Sequence, residues 1–489
     1  MIKVNKHLLF LGALLFLAFT LIYYATYVNL IVVGVANTRN TLIEYLHGKK
    51  HDVEFSSQTL FLYRAYLLNS TSIRVLSINR CVDPEWKLHG FVNGEQVTFS
   101  PRTIESSCPW GWAPGCLYNS YVFDALLKTD TTAESIILSR NGSDIRLPLH
   151  RIPFRTKGKL SVCVPPIYWG VYCYLTSLYL ITMIFYLQTE QCACFRFTDW
   201  TKLIFFLETW RAHGANHVFM YYHSSTEDVR RVLDHYQKEG FVTIISWPLL
   251  PHSSKINPNL SLYRLAHSLA HNDCVLRIDS EFGALVDIDE LIVPRNGSLL
   301  SLVVQRFTSF PTVGALSFPH QNLLLDPPLA AKKFSFKALD FSGILNAKKD
   351  NSSGPPKVVF RTEAVDMLST HEVRIFNSGF VGEQIPLTEA ILLHNRYTNN
   401  SRKNCTAVKL FPSDAIAHEV QEAMMAKKTT IFPNGAEFHF EIQQLLGICL
   451  QNWRKTQHYC KTPILGCQDI LLSLEDWYFT SGSDEFHAL

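Results

Sequence analysis

The chain has 489 residues, 47% of them hydrophobic, enough for two or three domains with a sizeable core, so disorder is excluded as the default state. Its 45 basic and 42 acidic residues leave a formal net charge of +3, with no long block of either sign and no basic stripe interleaved with aromatics. That balance argues against a nucleic-acid partner.

The first element in chain order is the run from His7 to Ala36, HLLFLGALLFLAFTLIYYATYVNLIVVGVA, which carries no charge between Leu8 and Val35. It is long enough to span a bilayer as one tilted helix and longer than a signal-peptide core, although the small residues Gly34, Val35 and Ala36 leave a cleavable signal as the competing reading. Lys3 and Lys6 precede it, and Arg39, Lys49 and Lys50 follow, a small bias towards a cytosolic N-terminus. The chain then reads as a cytosolic tail (1–7), a signal-anchor helix (8–33), a lumenal stem and β-rich segment (34–155), an α/β domain (156–450) and a C-terminal tail (451–489).

Beyond the anchor, Asn-x-Ser/Thr acceptors stand at Asn69, Asn141, Asn259, Asn296, Asn351, Asn399 and Asn404. With twelve cysteines that lack zinc-ligand spacing, they read as a glycosylated, partly disulfide-bonded secretory-pathway protein. Residues 52–162 hold short apolar runs split by turn residues, with hairpin signals at Asn93-Gly94 and Asn141-Gly142, and predict a β-rich segment containing Cys81, Cys108 and Cys116.

From Leu160 strands alternate with helices. LSVCVPPIYW predicts a buried strand, TDWTKLIFFLETWRAHG a helix capped by Thr198 or Asp199 and stopped at Gly214, and HVFMYYH a further strand. SSTEDVRRVLDHYQKEG predicts an amphipathic helix, with Val229, Val232, Leu233 and Tyr236 on one face and Ser224 and Glu227 in capping-box spacing. FVTIISWP predicts the next strand, and LSLYRLAHSLAHNDC a helix striped by Leu262, Leu265, Ala266 and Leu269. Three strand–helix units in succession predict a doubly wound α/β sheet whose ligands lie beyond the carboxyl ends of its strands. The apolar block 171–195 breaks this rhythm. A buried helix, an inserted segment, a second span and translated intron sequence all fit it.

The run GALVDIDELIVP, Gly283 to Pro294, sets Asp287, Asp289 and Glu290 in apolar, β-branched surroundings. Read as an extended strand, it turns Asp287 and Asp289 to one face and Glu290 to the other. Two like charges so close require a positive partner, and a divalent cation, Mn2+ or Mg2+, meets that need with sites left for phosphate oxygens. Displacement of a nucleoside diphosphate, its charge neutralised by the ion, is the chemistry that follows. The competing reading of Asp-x-Asp is a solvated turn or a helix cap.

These residues also carry a resemblance. ALVDIDELIVP, preceded by AHNDCVLR and by FLETWRAHGANHVFMYY and VLDHYQKEGFVTIISWP, is similar to glycosyltransferase family 92, and the similarity extends from RAYLLNSTSIRVLSI through SVCVPPIYW to LLHNRY. The resemblance implies a GT-A type, Rossmann-like fold, a single N-terminal anchor, residence in the Golgi, and inverting transfer of a sugar, best associated with galactose, from a UDP-sugar to a glycan acceptor that can include fucose. Carried onto this chain, it makes Asp287 and Asp289 metal and diphosphate carboxylates, with Glu290 adjacent and positioning either the donor sugar or the loop. Asn272 and Asp273 fall on the helix that faces the nucleotide, and Tyr168, after Pro165 and Pro166, where a uracil ring rests. His371 in LSTHEVRIF and His394 in LLHNRY align with the family's histidines as metal or diphosphate ligands, and Arg396 as a phosphate partner. Glu363, Asp366 and Glu372 are the candidates for the general base, and nothing local selects among them. The chain departs from the family in having Asn395 where an aromatic is usual, and in the block 171–195. A metal-dependent phosphohydrolase and a catalytically inactive, lectin-like glycoprotein are the alternatives.

Overall fold

The structure, a computed structural model, describes residues 58–81, 87–111, 113, 115–167, 199–253, 255–325, 335–395, 405–436, 467–480 and 485–489, with scattered positions between 442 and 460. The expected anchor, the block 171–195, Tyr168 and Arg396 lie outside the described residues. No helix among the described residues is long and apolar enough to cross a membrane. Residues 54–467 and 476–489 form one compact unit; of the other, 1–53 with 468–475, only 468–475 are described.

The β-rich segment is a closed barrel. Its strands are β1 (Phe61–Asn69), β2 (Ser72–Arg80), β3 (Leu88–Val92), β4 (Glu95–Thr103), β5 (Tyr118–Leu126), β6 (Ser135–Arg140) and β7 (Ser143–Arg151). They run in the order β2-β5-β4-β3-β6-β7-β1, and β1 pairs again with β2 to close the ring. Closure removes the exposed edges that a sheet of this length would otherwise present. Both Asn-Gly pairs make two-residue hairpins, with positive φ at Asn93 (49°) and Gly94 (85°) and at Asn141 (50°) and Gly142 (82°), the conformation that turn chemistry requires. Along β4, Val97 and Phe99 turn inward to join the cluster that holds Val75, Leu138 and Leu147, while Gln96 and Thr98 face out.

The α/β part follows with β8 (Thr156–Ile167), α1 (Trp200–Ala212), β9 (His217–Tyr222), α2 (Glu227–Lys238), β10 (Val242–Ser246), α3 (His267–Arg277) and β11 (Ser280–Leu285). These four strands are parallel and lie in the order β10-β9-β8-β11. The chain winds outward from β8 in one direction and then returns to its other side, so the junction of β8 and β11 is a topological switch point. Next come β12 (Glu290–Pro294), α4 (Leu299–Ser309), β13 (Val313–Phe318), β14 (His320–Leu324), β15 (Lys357–Arg361), β16 (Val365–Leu368), β17 (Val373–Phe376), β18 (Val381–Gln384), β19 (Ala390–Asn395) and α5 (Asp414–Ile431). Strands β15, β13 and β18 extend the main sheet beyond β11, while β12, β19 and β14 belong to a second sheet. Gly283 in β11 faces Phe360 of β15, where an added Cβ would come within 2.4 Å of the ring.

Three local expectations are corrected. α2 starts at Glu227 without the capping box: Thr226 is the N-cap and makes no side-chain cap bond, and the Glu227 N–H donates to Asp476 O at 2.9 Å instead. The stripe from Leu262 is not one helix, because Arg264, Leu265 and Ala266 adopt φ of 45°, 53° and 58°, and α3 begins only at His267. Three successive non-glycine residues in the left-handed region store strain of about 1–2 kcal/mol each. Finally, Asp287 to Glu290 is a turn, not extended strand.

Four disulfides join Cys81 to Cys108, Cys116 to Cys460, Cys163 to Cys274 and Cys449 to Cys467. Of the seven glycosylation acceptors, Asn69, Asn141, Asn296 and Asn351 are exposed. Asn259 is 1% exposed and its Nδ2 donates to Leu250 O at 2.9 Å, so it is not a usable acceptor in the folded chain.

Candidate functional site

At the carboxyl end of β11, on the switch point, the chain reverses over Asp287–Glu290, the Glu290 N–H donating to Asp287 O at 3.0 Å. The Asp287 N–H donates to Glu290 Oε2 at 2.8 Å, the Asn395 N–H to Asp289 O at 2.7 Å and the Trp210 indole N–H to Glu290 O at 3.3 Å. The turn is therefore braced from β19 and from α1.

Because it is a turn, Asp287 and Asp289 do not share a face. Asp289, 7% exposed, contacts His394, whose Nε2 lies 2.7 Å from Asp289 Oδ2. His394 stands opposite Glu290 in the antiparallel β12–β19 ladder, and its Nδ1 is 3.1 Å from His320 Nε2. Asp287 faces Lys357 at the head of β15: the ammonium is 3.3 Å from Asp287 Oδ2 and 3.4 Å from Glu290 Oε2. These are ion pairs by distance without hydrogen-bond alignment. His267 approaches from the start of α3, its Nε2 3.8 Å from Asp287 Oδ1.

The charges divide accordingly. Burial pushes the Asp287 carboxyl up, but Lys357 and Arg264 outweigh it and hold the group below the usual carboxylate range. Burial pushes Glu290 up to about 7, with Asp287 and Asp289 adding to the rise against the pull of Lys357. Burial works against the Lys357 ammonium, and its two carboxylates more than offset this, so its pKa is raised. His267 and His271, one turn apart on α3 with ring centroids 4.5 Å apart, are held neutral, their pKa values far below the ordinary imidazole value chiefly through burial.

The positive partner that adjacent carboxylates require is thus, for Asp287 and Glu290, a lysine. Among the four residues expected as metal ligands, Asp289 and His394 converge, whereas Asp287 turns to Lys357. His371 lies on the Asp287 side of the turn, close enough for its charge to act on Asp287, His267 and His271; its Nδ1 is 3.2 Å from Pro356 O, and burial, with Lys357 beside it, lowers its pKa to about 3. Among the described residues no group of three or more His, Cys, Asp or Glu side chains is arranged to hold a metal ion.

Asn272 and Asp273 have structural partners. Asn272 clamps the Leu368 backbone, its Oδ1 accepting from Leu368 N at 2.9 Å and its Nδ2 donating to Leu368 O at 2.8 Å. Asp273, 0% exposed, accepts from the Tyr66 hydroxyl of β1, from the Tyr221 hydroxyl of β9 at 2.6 Å and from Arg277. Neither side chain offers an atom to a nucleotide; Asp273 ties the barrel to the α/β sheet. Of the base candidates, Asp366 is engaged by Arg74 and Arg102, at 2.6 Å each, while Glu363 and Glu372 are exposed.

Sequence reasoning missed Lys357, His267, His271 and Arg264. Lys357 leads the apolar run KVVF, a charge at the head of a buried strand, and HSLAH sets two histidines at i and i+4 on one helical face. Both signals were present in the chain.

Fold and site together define a doubly wound α/β protein with its charged cluster at the switch point, where open α/β sheets bind their ligands. The family model for glycosyltransferase family 92 matches residues 191–438, half of the chain, and the chain belongs to that family. The barrel and β8, to which the resemblance was extended from the sequence, precede the matched residues. Two glycosyltransferase family 92 proteins of Caenorhabditis elegans are similar, one 30% identical over 146 residues, covering 28% of this chain and 29% of that protein, the other 26% identical over 106 residues, covering 20% of each. The matched stretches therefore span under a third of those relatives. The crystal structure of S. aureus TarS in complex with UDP aligns at 12% identity over 65% of this chain and 75% of that one, with a TM-score of 0.23, too low to argue from.

Proposed function

We propose that the chain is a membrane-anchored, inverting glycosyltransferase of the Golgi lumen that moves galactose from UDP-galactose to a glycan acceptor with a divalent metal, Mn2+ or Mg2+. Family membership supports transfer; the observation that carries it to this site is the convergence of Asp289 with His394, and of Lys357 with Asp287 and Glu290, at the switch point. The donor diphosphate would lie beside this turn, and Arg264 and Lys357 are the cations whose charge reaches Asp287.

Asp289 and His394 are the residues that would hold the proposed metal, one carboxylate oxygen and one imidazole nitrogen 2.7 Å apart; the carboxylate is the ligand type that magnesium- and manganese-like ions take, with phosphate and water completing the shell. When bound, the ion would neutralise charge developing on the departing diphosphate. The protein's own part is positional. His320 orients the His394 ring, the Asn395 and Trp210 bonds fix the turn, and Lys357 keeps Asp287 ionised. With Asp366 held by two arginines, Glu363 and Glu372 are the exposed carboxylates left from the three base candidates.

The test is release of UDP from UDP-galactose by the purified full chain with Mn2+ and a glycan acceptor, and its loss in Asp289→Ala. Release of inorganic phosphate would point to a hydrolase. Glycan binding with no turnover of any UDP-hexose would sink the transferase reading.

A further inference from the structure

Among the described residues, positive φ outside glycine occurs at Asn93 and Asn141 in hairpins, at Phe341 alone, and at the consecutive Arg264, Leu265 and Ala266. Asparagine tolerates this region; arginine, leucine and alanine do not. Such a run persists only where its surroundings over-determine it, and outliers of this kind collect at ligand sites. Capping gives it no help, since Ala266 is the N-cap of α3 and makes no side-chain cap bond.

The hold comes from Trp247, whose indole N–H donates to Leu265 O, the middle carbonyl of the run, at 2.7 Å. Trp247 follows β10 at the carboxyl end of the sheet and is itself fixed. Its backbone N–H donates to Tyr222 O at 2.9 Å, and its carbonyl accepts from His223 Nδ1 at 2.9 Å. Its buried ring lies 4.9 Å from Tyr63 of β1, 5.1 Å from Tyr221 of β9 and 5.4 Å from Phe486. Barrel, sheet and C-terminal segment thus grip one indole, which fixes Leu265 in turn.

What the run delivers is the Asp287 face of the site. Arg264 is one of the cations whose charge reaches Asp287, and His267, the next residue, sets its Nε2 3.8 Å from Asp287 Oδ1. That nitrogen and both ring nitrogens of His271 are buried without a hydrogen-bond partner among the described residues, which marks a face that a ligand would complete. A return of Leu265 to the right-handed region would redirect the chain entering α3 and carry Arg264 and His267 off Asp287.

We propose that Trp247 is a positioning residue of this site: its indole N–H holds the left-handed turn in the conformation that sets Arg264 and His267 against the Asp287 turn for binding of the donor nucleotide. The inference rests on the reading that this turn takes a nucleotide sugar. Trp247 acts through Leu265 O and touches no substrate.

Trp247→Phe keeps an aromatic ring in the cluster and removes the N–H donor. In the full-length variant, amide exchange at residues 262–268 should quicken at least tenfold, and the Kd for UDP, titrated in the presence of Mn2+, should rise at least tenfold. Adding Ala266→Gly should return that Kd to within threefold of wild type, because glycine takes the left-handed backbone without strain; a tryptophan that merely fills space would not be rescued this way. In the wild type, UDP with Mn2+ should slow exchange at the same amides. Exchange unaltered in Trp247→Phe, UDP bound as tightly as by wild type, or no recovery in the double variant would each overturn the proposal, as would unaltered exchange on adding UDP to the wild type, where no variant is involved. A wild type that binds UDP and shows any of these loses only the role of Trp247, whereas one that binds no UDP loses the transferase reading and the proposal with it.

Discussion

His394 Nε2 lies 2.7 Å from Asp289 Oδ2 across 105 residues of chain, and β12 pairs with β19 in the register that sets Glu290 opposite His394. Replacing the imidazole with a methyl group leaves a buried carboxylate without this partner. His394→Ala should lower stability by about 1–3 kcal/mol, and His394→Asn should recover part of it. The denaturant midpoint reads this directly. An unchanged midpoint would mean that the contact is not held in solution.

Lys357 is fully buried between Asp287 and Glu290. Lys357→Met preserves much of the volume and removes the charge, leaving two carboxylates uncompensated, with an expected loss of about 3–5 kcal/mol. Adding Glu290→Gln to that variant should restore part of the loss. A double-mutant cycle on urea unfolding that gives strict additivity would show that the lysine and the glutamate do not interact.

Two other buried histidines make stability depend on pH. Burial lowers both His213 and His223 to about 4, despite bonds to Leu410 O at 2.8 Å and Trp247 O at 2.9 Å. A base whose folded pKa lies below its unfolded value near 6.5 takes up protons more readily when unfolded. Its contribution is whole above about pH 6.5 and is lost as pH falls from there towards 4, up to roughly 3 kcal/mol for each group. Glu290, raised to about 7, pulls the other way over this window because its folded state takes up the proton first. The test is therefore differential: the change in urea midpoint from pH 7.5 to 4.5 should be less unfavourable in His223→Gln than in the wild type, and identical pH dependence in the two would contradict the assignment.

Glycopeptide mapping of protein from a secretory host should find sugar at some or all of Asn69, Asn141, Asn296 and Asn351 and none at Asn259, whose amide is buried in a bond to Leu250 O. Occupancy at Asn259 would require that loop to fold differently.

Much of the α/β order was legible in the chain. Period-3.6 stripes such as Val229, Val232, Leu233 and Tyr236 record burial against a sheet, and all four are buried as their spacing implied. Asn-Gly turns were legible because few other residue pairs adopt their backbone so readily. Asp287–Glu290 misled because β-branched flanks describe the strands on either side and say nothing of a turn between them. Arg264–Ala266 misled for the opposite reason: the apolar spacing is helical, and tertiary contacts hold the backbone in a conformation that no local preference favours. Lys357 escaped notice since its partners lie about seventy residues upstream, beyond the reach of any local pattern.

Asp273 accepts from Tyr66 of the barrel, and Cys274 beside it is bonded to Cys163 of β8. A recombinant fragment begun at residue 191, the family boundary, would discard an interior strand of the sheet, unpair a cysteine and strip a buried aspartate of one of its tyrosines. The part of this chain that folds together therefore reaches back to the barrel's first strand.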